Sequence, residues 1–330
     1  MHGHHLQHEL NIYGEIQLFA GTGCPELATE IAQYLGFPLS GRDVVHFPND
    51  NLWIKLHKSV RGQDVYVIQT TSNPVHRNLM ELLIMLQTMR LDSAGRVTAV
   101  IPYLCYARSD KKDKPRVPIT ARLVADMIEI AGADRYMTLD LHAGQIQGFF
   151  SIPGDVLTAF HILTEYIRGK LPQMHKPVVA AADLGFAKKG RNFAVSIDAP
   201  IAFIEKRRSG VDDRAQALTL IGDVKDRDVI IVDDEIDTAG SVSQAVTLVK
   251  ESGGRNVYLV TVHPVFSPPA VERLAALPIA ELITTNTIPI SAEKAAALKG
   301  KLTVLSVAPL LGEVINRAHA GRSVGEMFDE

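Results

Sequence analysis

One stretch, residues 228 to 243 with the sequence DVIIVDDEIDTAGSVS, constrains the fold of this chain more than any other. It opens with a β-branched run, Val229 to Val232, which is typical of a strand buried on both faces of a parallel sheet. Hydrophobic residues then recur at helical spacing until Gly253-Gly254, where the helix is expected to end. A strand, a short loop and a helix in this order predict an α/β fold.

The loop between this strand and its helix is suited to an anion. Its residues are Asp237, Thr238, Ala239, Gly240 and Ser241. The start of a helix turns backbone N–H groups and the positive end of the helix dipole toward bound anions. Two carboxylates, Asp233 and Asp234, close the strand and could bind a ribose diol or a metal ion on it. The stretch therefore predicts a ribose 5-phosphate site, while a solvated strand end with an ordinary helix cap is the alternative.

Size and composition limit what else the chain can be. Its 330 residues are about twice a typical domain, which predicts two domains. With 46% hydrophobic residues, 22% charged residues and a net charge of −3, it is a poor candidate for general nucleic-acid or membrane-surface binding. The two cysteines, Cys24 and Cys105, lack metal-ligand spacing, so we expect buried thiols in a reducing cytoplasm.

Strands and helices alternate along the whole chain, which favours mainly parallel sheets covered on both faces. We place the domain boundary near residue 155, which gives an N-terminal domain of residues 1–155 and a C-terminal domain of residues 156–309. A helix is predicted near Val156 to Ile167, directly after the boundary. The final helix, within residues 310–330, is expected to pack back on the first domain.

A second segment with candidate ligands is DLHAGQIQGFF at residues 140 to 150, which follows a predicted strand. Ligands of open α/β sheets bind at the carboxyl edge, where these polar groups are expected to lie. His142 could ligate a metal or a phosphate, although a lone histidine is by default a hydrogen-bonded structural residue. The segment resembles the DLHxxQIQGFF signature of phosphoribosyl pyrophosphate synthetases, also called ribose-phosphate pyrophosphokinases. Phosphoribosyltransferases share only a loop similar to residues 233–241.

The resemblance covers nearly the full chain. Further motifs that carry it are Ile101-Pro102-Tyr103, Tyr106-Ala107-Arg108, Val117-Pro118-Ile119-Thr120, Ile204-Glu205-Lys206-Arg207-Arg208, Thr261-Val262-His263-Pro264 and Thr287-Ile288-Pro289. It implies two phosphoribosyltransferase-like domains, each a mainly parallel sheet flanked by helices, the first binding ATP and the second ribose 5-phosphate. It also implies transfer of the β,γ-diphosphoryl group of ATP to the C1 hydroxyl of ribose 5-phosphate, which gives phosphoribosyl pyrophosphate and AMP.

The resemblance assigns roles to single residues. It places Lys206 and Arg208 at the transferred group, where lysine offers a mobile point charge and arginine a planar fork of donors. A solvated basic turn is the alternative for these two. His142 matches a position near magnesium and the ATP phosphates, and Asp183 matches an acid near the ribose and the metal. Mg²⁺ is expected as the ATP complex, because it prefers oxygen ligands and few protein contacts.

The residues expected to bind ATP by this resemblance are Phe47, Asn49, Asn51, Arg108, Ser109, Lys111 and His142. The basic stretch 108–116 is interpreted as a lid over the triphosphate, with a solvated charged loop as the alternative. Two departures bear on nucleotide preference. Residues 47–51 read FPNDN where the family usually carries F-x-D-G-E, and Ser109 replaces a glutamine. In addition, Phe186 replaces a glycine in a region linked to regulation by phosphate and ADP.

Two other functions stay open at this point. A phosphoribosyltransferase would consume phosphoribosyl pyrophosphate with a base instead of making it, and the DLHxxQIQGFF string argues against it. A non-catalytic, synthetase-like subunit would bind nucleotides or tune an active partner. The family builds its sites across subunit contacts, so a homo-oligomer built from dimers, such as a hexamer, is expected.

Overall fold

The structure is a computed structural model that describes residues 13–182, 184–208 and 216–327. The side chains of residues 184, 206–208, 216, 217 and 326 are not part of that description. The chain divides into two compact units. Unit 1 comprises Met1–Leu157 with Ala308–Glu330, and unit 2 comprises Thr158–Val307.

Strands and helices alternate through most of both units. The strands are β1 (Ile16–Ala20), β2 (Arg42–His46), β3 (Leu52–Leu56), β4 (Asp64–Ile68), β5 (Arg96–Ile101), β6 (Arg135–Leu139), β7 (Gly154–Leu157), β8 (Val178–Ala181), β9 (Ile201–Arg208), β10 (Gln216–Ile221), β11 (Val229–Ile236), β12 (Val257–Pro264), β13 (Glu281–Thr285) and β14 (Leu302–Leu305). The helices are α1 (Pro25–Leu35), α2 (Val75–Leu91), α3 (Thr120–Ala131), α4 (Phe160–Lys170), α5 (Ala187–Ser196), α6 (Gly240–Glu251), α7 (Ala270–Ala276), α8 (Ala292–Ala297) and α9 (Ala308–His319).

The sheet of unit 1 is parallel throughout, in the order β1-β4-β5-β6-β7. Strands β4 and β5 are buried along their whole length because helices cover the sheet. A separate antiparallel pair, β2 and β3, forms a hairpin. Cys24 and Cys105 are buried free thiols in this unit, as the sequence predicted.

Helix α9 closes unit 1, although it comes last in the chain. Its buried face includes Leu311, Val314 and Ile315. A buried polar cluster fixes its end, because His319 Nδ1 lies 2.7 Å from Asp64 Oδ2 and Arg96 Nη2 donates to the Ala318 carbonyl at 3.1 Å. The helix therefore completes the core of the sheet that begins the chain.

The sheet of unit 2 has the order β10-β9-β8-β11-β12-β13-β14. All its pairings are parallel except that of β10 with β9 at the edge. Strand β11, the organising strand of the sequence, lies between β8 and β12. Phe186 is buried in this unit with its ring centroid 5.5 Å from that of Phe160, so it serves as a packing residue.

The structure corrects the sequence analysis at two places. The helix predicted from Val156 is wrong at its start, because residues 154–157 form β7 and α4 begins only at Phe160. Parallel pairing with β6 and the ion pair of Asp155 with Arg135 at 2.7 Å favour the strand. Strand β11 also does not end at the two acids Asp233 and Asp234 but continues past them to Ile236. No helix in the described part of the chain is long and apolar enough to span a bilayer.

Candidate active site

The loop predicted to bind a phosphate lies at the carboxyl end of β11, where α6 begins. Ala239 is the residue before the helix and has the left-handed angles φ 59° and ψ 13°. Residues other than glycine and asparagine rarely adopt this backbone conformation. Contacts with the surrounding structure must therefore hold the loop in place. The turn brings Thr238, Gly240 and Ser241 to the start of α6, whose first N–H groups have no carbonyl of their own helix to bind.

The two acids of the stretch lie directly before this loop. Asp233 is half-buried and Asp234 is buried. One oxygen of each carboxylate accepts a backbone N–H of the next residue, from Asp234 and Glu235 respectively, at 2.9 Å. These bonds orient both carboxylates at the strand end. Thr261 pairs with Asp233 across the parallel ladder, and its buried hydroxyl has no hydrogen-bond partner among the described residues.

Arg273 on α7 also belongs to this site, and the sequence analysis missed it. Its Nη1 donates to the carbonyl oxygen of Thr238 at 2.9 Å. The two residues are 35 positions apart in the chain, and no local pattern around Arg273 announces the contact. Only the return of the chain through β12 brings α7 beside the loop.

The second predicted segment lies at the carboxyl edge of the sheet in unit 1. Asp140 follows β6 with the left-handed angle φ 40° and is buried, whereas His142 is exposed. Residues 144–149 form a 3₁₀ turn. The side-chain amide of Gln145 in that turn donates to the buried carboxylate of Asp110. This bond joins the His142 segment to the basic stretch 108–116.

The basic stretch carries the other cations predicted to meet ATP. Arg108 and Lys111 are exposed, as are the following residues up to Arg116. Ser109 behaves differently, because its hydroxyl lies 3.2 Å from that of Thr120 and accepts the Thr120 N–H at 3.2 Å. The serine thus caps the start of α3 and anchors one end of the stretch.

Comparisons with known proteins decide the family. The family model for the N-terminal domain of ribose phosphate pyrophosphokinase matches residues 16–132, and that for the phosphoribosyl synthetase-associated domain matches residues 194–329. A ribose-phosphate pyrophosphokinase of Clostridium tetani is 46% identical over 315 residues, which cover 95% of this chain and 97% of that protein. The chain belongs to the ribose-phosphate pyrophosphokinase family.

Further ribose-phosphate pyrophosphokinases agree with this conclusion. The chloroplastic ribose-phosphate pyrophosphokinase 1 of Arabidopsis thaliana is 45% identical over 314 residues, or 95% of this chain and 77% of that protein. The crystal structure of phosphoribosylpyrophosphate synthetase from Mycobacterium smegmatis has a TM-score of 0.88 and 40% identity, covering 93% of this chain and 99% of that one. The predicted family, fold class and enzyme class are therefore confirmed.

The hairpin tip at residues 47–51 is where this chain departs from the usual sequence of ribose-phosphate pyrophosphokinases. The Phe47 side chain is 46% exposed, so its ring is accessible for stacking. Asn49 Oδ1 accepts the N–H of Asn51 at 3.2 Å, which shapes the tip. Asp50 forms an ion pair with Arg77 at 2.9 Å, so the remaining acid of the tip is neutralised within unit 1.

Three predicted residues fall where the structure gives no side-chain geometry. Asp183, predicted as a metal ligand, lies outside the described residues. Lys206 and Arg208 belong to β9, but their side chains lie outside the description as well. His142 and the basic stretch lie in unit 1, whereas the acids and the loop lie in unit 2. Each group is assembled within its own unit.

The carboxylates Asp233 and Asp234 are the kind of ligand that suits magnesium, whereas the two buried thiols do not suit a metal site. In the described part of the chain, no group of three or more His, Cys, Asp or Glu side chains could hold a metal ion. Adjacent carboxylates such as Asp233 and Asp234 suit Mg²⁺, which keeps most of its water and phosphate ligands. Burial raises the pKa of Cys24 to about 12 and that of Cys105 to about 11, so neither thiol is a nucleophile or ligand near neutral pH.

Proposed function

We propose that this chain is a ribose-phosphate diphosphokinase that transfers the β,γ-diphosphoryl group of ATP to the C1 hydroxyl of ribose 5-phosphate. The C1 oxygen forms a bond with the β-phosphorus, the bond from that phosphorus to the α,β-bridging oxygen breaks, and AMP leaves. The observation that carries the proposal is the loop 237–241 at the start of α6 with two carboxylates beside it, in a member of this family.

Unit 2 is proposed to hold the sugar phosphate. The 5-phosphate binds at the start of α6, where the helix dipole and the first N–H groups favour an anion. The hydroxyls of Thr238 and Ser241 add donors, and Gly240 allows close approach. Asp233 and Asp234 hold the ribose diol, or magnesium bound to it. Asp237 and Ala239 complete the loop.

Unit 1 is proposed to hold ATP. Phe47 stacks on the base of the nucleotide in the neighbouring subunit's site, and Asn49 and Asn51 offer amide groups to that base. Arg108 and Lys111 bind the triphosphate from the basic stretch, and Ser109 fixes that stretch to α3. His142 lies at the phosphates and the metal. Because Gln145 bonds Asp110, the stretch and the His142 segment are expected to bind the nucleotide as one piece.

The chemistry requires charge stabilisation more than covalent help from the protein. In phosphoryl-type transfer the protein mainly positions the reactants and neutralises negative charge on the transferred group and the leaving oxygen. Lys206 and Arg208 are proposed to supply that positive charge. When bound, Mg²⁺ on ATP would neutralise further phosphate charge. In unit 1, His142 is proposed to lie beside it, and in unit 2, Asp183 is proposed as an acid near the ribose and a metal bound there.

One assay tests the proposal. The purified chain is incubated with ribose 5-phosphate and Mg-ATP, and both AMP and phosphoribosyl pyrophosphate are measured. Formation of both products at equal rates is expected. A phosphoribosyltransferase would make neither but would release diphosphate from phosphoribosyl pyrophosphate and a base. A non-catalytic subunit would be inactive in both assays. Repeating the reaction with other nucleoside triphosphates, with and without inorganic phosphate, tests the consequences of the altered 47–51 tip and of Phe186.

Assembly and location remain predictions. We expect a homo-oligomer built from dimers, and light scattering of the purified chain would give its size. A cytoplasmic location is expected because the two free, buried cysteines suit a reducing compartment.

A further inference from the structure

Helix α7 brings a cation to the loop 237–241 within unit 2. Arg273 Nη1 donates to the Thr238 carbonyl at 2.9 Å. A Cβ atom built on Gly240 would lie 3.4 Å from the same nitrogen. The guanidinium therefore lies against the first residue of α6, on the segment proposed to bind the 5-phosphate.

The environment of the Arg273 side chain differs from that of Arg227 and Arg255, two other arginines of unit 2. Arg227 is paired with Asp223, and Arg255 lies within 4.0 Å of both Asp226 and Asp228. Among the described residues, the partner of the Arg273 side chain is a carbonyl oxygen and not a carboxylate. A carbonyl accepts a hydrogen bond but does not neutralise the cation. Positive charge is thus retained beside the start of α6, where it adds to the helix dipole.

The contact also restrains the backbone. The loop contains Ala239 in the left-handed region, a conformation that a non-glycine residue keeps only when its surroundings hold it. Thr238 is the residue before this strained position. A hydrogen bond on its carbonyl, combined with the bonds from Ser243 N and Oγ to the Ala239 carbonyl at 3.0 and 2.6 Å, fixes both peptide groups around it.

We propose that Arg273 is a positioning residue for the sugar phosphate: it holds loop 237–241 through Thr238 and places its charge beside the phosphate group. The inference rests on the proposed function and adds to it a residue from a distant helix. It assigns to Arg273 the discrimination in favour of a phosphorylated sugar, because an uncharged ligand gains nothing from an added cation. ATP bound in unit 1 is expected to be indifferent to it.

The test uses three substitutions and a matched control in the full-length chain. Arg273→Ala removes the side chain, Arg273→Met keeps an aliphatic stem without charge or donor, and Arg273→Lys keeps charge and a donor. Arg168→Ala is the control, because Arg168 is also an exposed arginine of unit 2 that donates to a backbone carbonyl, that of Ser196 at 2.6 Å, although it pairs in addition with Glu165. Ser196 ends α5 just before β9 begins, so it lies at the amino ends of the parallel strands, whereas the loop lies at their carboxyl ends.

We expect Arg273→Ala and Arg273→Met to raise the KM for ribose 5-phosphate by about 10- to 100-fold, the range of one hydrogen bond to a charged group. The kcat and the KM for ATP should stay within about twofold, Arg273→Lys should recover most of the loss, and Arg168→Ala should behave like the wild type. A wild-type KM for Arg273→Met, or equal increases in both KM values, would overturn the inference. If Arg273→Ala does not fold, as judged by its thermal unfolding, the Met and Lys variants decide. An inactive wild-type chain would instead refute the proposed function.

Discussion

Two strand-to-helix loops of this chain, residues 21–23 and 237–241, are both rich in small residues. They differ in the side chains that contact them. In unit 1, residues 21–23 join β1 to α1, and the N–H groups there meet acceptors from the chain itself. Thr22 donates its backbone N–H to Glu81 at 2.8 Å and its hydroxyl to the other oxygen of that carboxylate. Gly23 donates its N–H to Gln69 Oε1 at 2.8 Å. The Glu81 carboxylate of the chain itself therefore lies at this loop.

The loop 237–241 in unit 2 is contacted by a side chain of the opposite charge. Arg273 reaches it from α7 and donates to the carbonyl oxygen of Thr238. A Cβ atom at Gly21 would clash with Gln69 Oε1, so the space there is filled by protein. Apart from its neighbours in the chain, a Cβ atom at Gly240 would meet only the Arg273 and Thr238 side chains of the described residues within 4 Å, at ordinary contact distances. The two loops thus differ in the charge that another helix brings to them, a carboxylate in unit 1 and a guanidinium in unit 2.

The largest effect is expected at Lys206, on β9 of unit 2. We expect Lys206→Ala to lower kcat about 1000-fold, equivalent to roughly 4 kcal/mol, while ATP binding changes little. The physical reason is that a charge acting in the transition state contributes little to the ground state. Steady-state kinetics and ATP titration measure the two effects separately.

Lys250→Ala is the control for Lys206→Ala, since Lys250 lies in the last turn of α6, at the far end of that helix from the loop. Its kcat should match that of the wild type. Equal losses of turnover and ATP affinity in Lys206→Ala would show that Lys206 binds ATP in the ground state. Another cation would then be needed to stabilise the transferred diphosphoryl group.

The next largest effect tests the loop 21–23 in unit 1, called closed here because Glu81 and Gln69 of the same chain accept its N–H groups. Glu81 is fully buried and accepts two hydrogen bonds from Thr22, so Glu81→Ala should lower the free energy of unfolding by about 3 kcal/mol. Glu81→Gln keeps an acceptor and should cost about 1 kcal/mol. Urea unfolding measures both. The KM for ribose 5-phosphate should not change in folded Glu81→Gln. A rise in that KM would mean that the sugar phosphate binds at the loop of unit 1 and not at loop 237–241.

A smaller effect is expected at Asp237, which opens the loop in unit 2. Asp237→Asn should raise the KM for ribose 5-phosphate about 30-fold, or roughly 2 kcal/mol, because an amide lacks the negative charge and the second acceptor oxygen of the carboxylate at the start of the proposed phosphate loop. The KM for ATP should be nearly constant. Asp223→Asn, an exposed acid before β11, is the matched control. If ATP were weakened more than the sugar phosphate, the phosphate site would lie elsewhere.

Local patterns were sufficient for most of the fold. Strand β11 begins at Val229 and helix α6 ends just before Gly253-Gly254, as predicted, because the β-branched run, the helical spacing and the glycines agree there. The last two residues of β7, from Val156, were predicted as helix, since this short segment becomes a strand only by pairing with β6. The loop 237–241 could be predicted as a candidate site because its residues form one continuous stretch.

The partners of the two loops could not be found from sequence, because they come from far along the chain. Glu81 reaches Thr22 over 59 positions, and Arg273 reaches Thr238 over 35. Neither residue stands in a pattern that differs from an ordinary helix. Whether a loop is closed by a carboxylate or left open beside a cation depends on packing of α2 and α7, and that information exists only in three dimensions.

The smallest effect concerns Cys24, the residue before α1 at the end of the closed loop. A helix start normally lowers the pKa of a thiol, yet burial outweighs it here and raises the pKa of Cys24 to about 12 from an ordinary value near 9. Below pH 9 the thiol is neutral in both states and its stabilising effect is complete. Above pH 9 only the unfolded chain loses the proton, so stability falls until the folded thiol also ionises near pH 12. The expected loss from this group is about 1.4 kcal/mol at pH 10.

Urea unfolding of the wild type and of Cys24→Ala at pH 8 and pH 10 isolates that contribution. Other groups, such as Cys105, titrate in both proteins and cancel in the comparison of slopes. The wild type should lose about 1.4 kcal/mol more than Cys24→Ala over this interval. Equal losses would mean that Cys24 ionises readily in the folded protein. The start of α1 would then accept negative charge despite Glu81 beside it, and the contrast between a closed loop in unit 1 and an open one in unit 2 would fail at its simplest point.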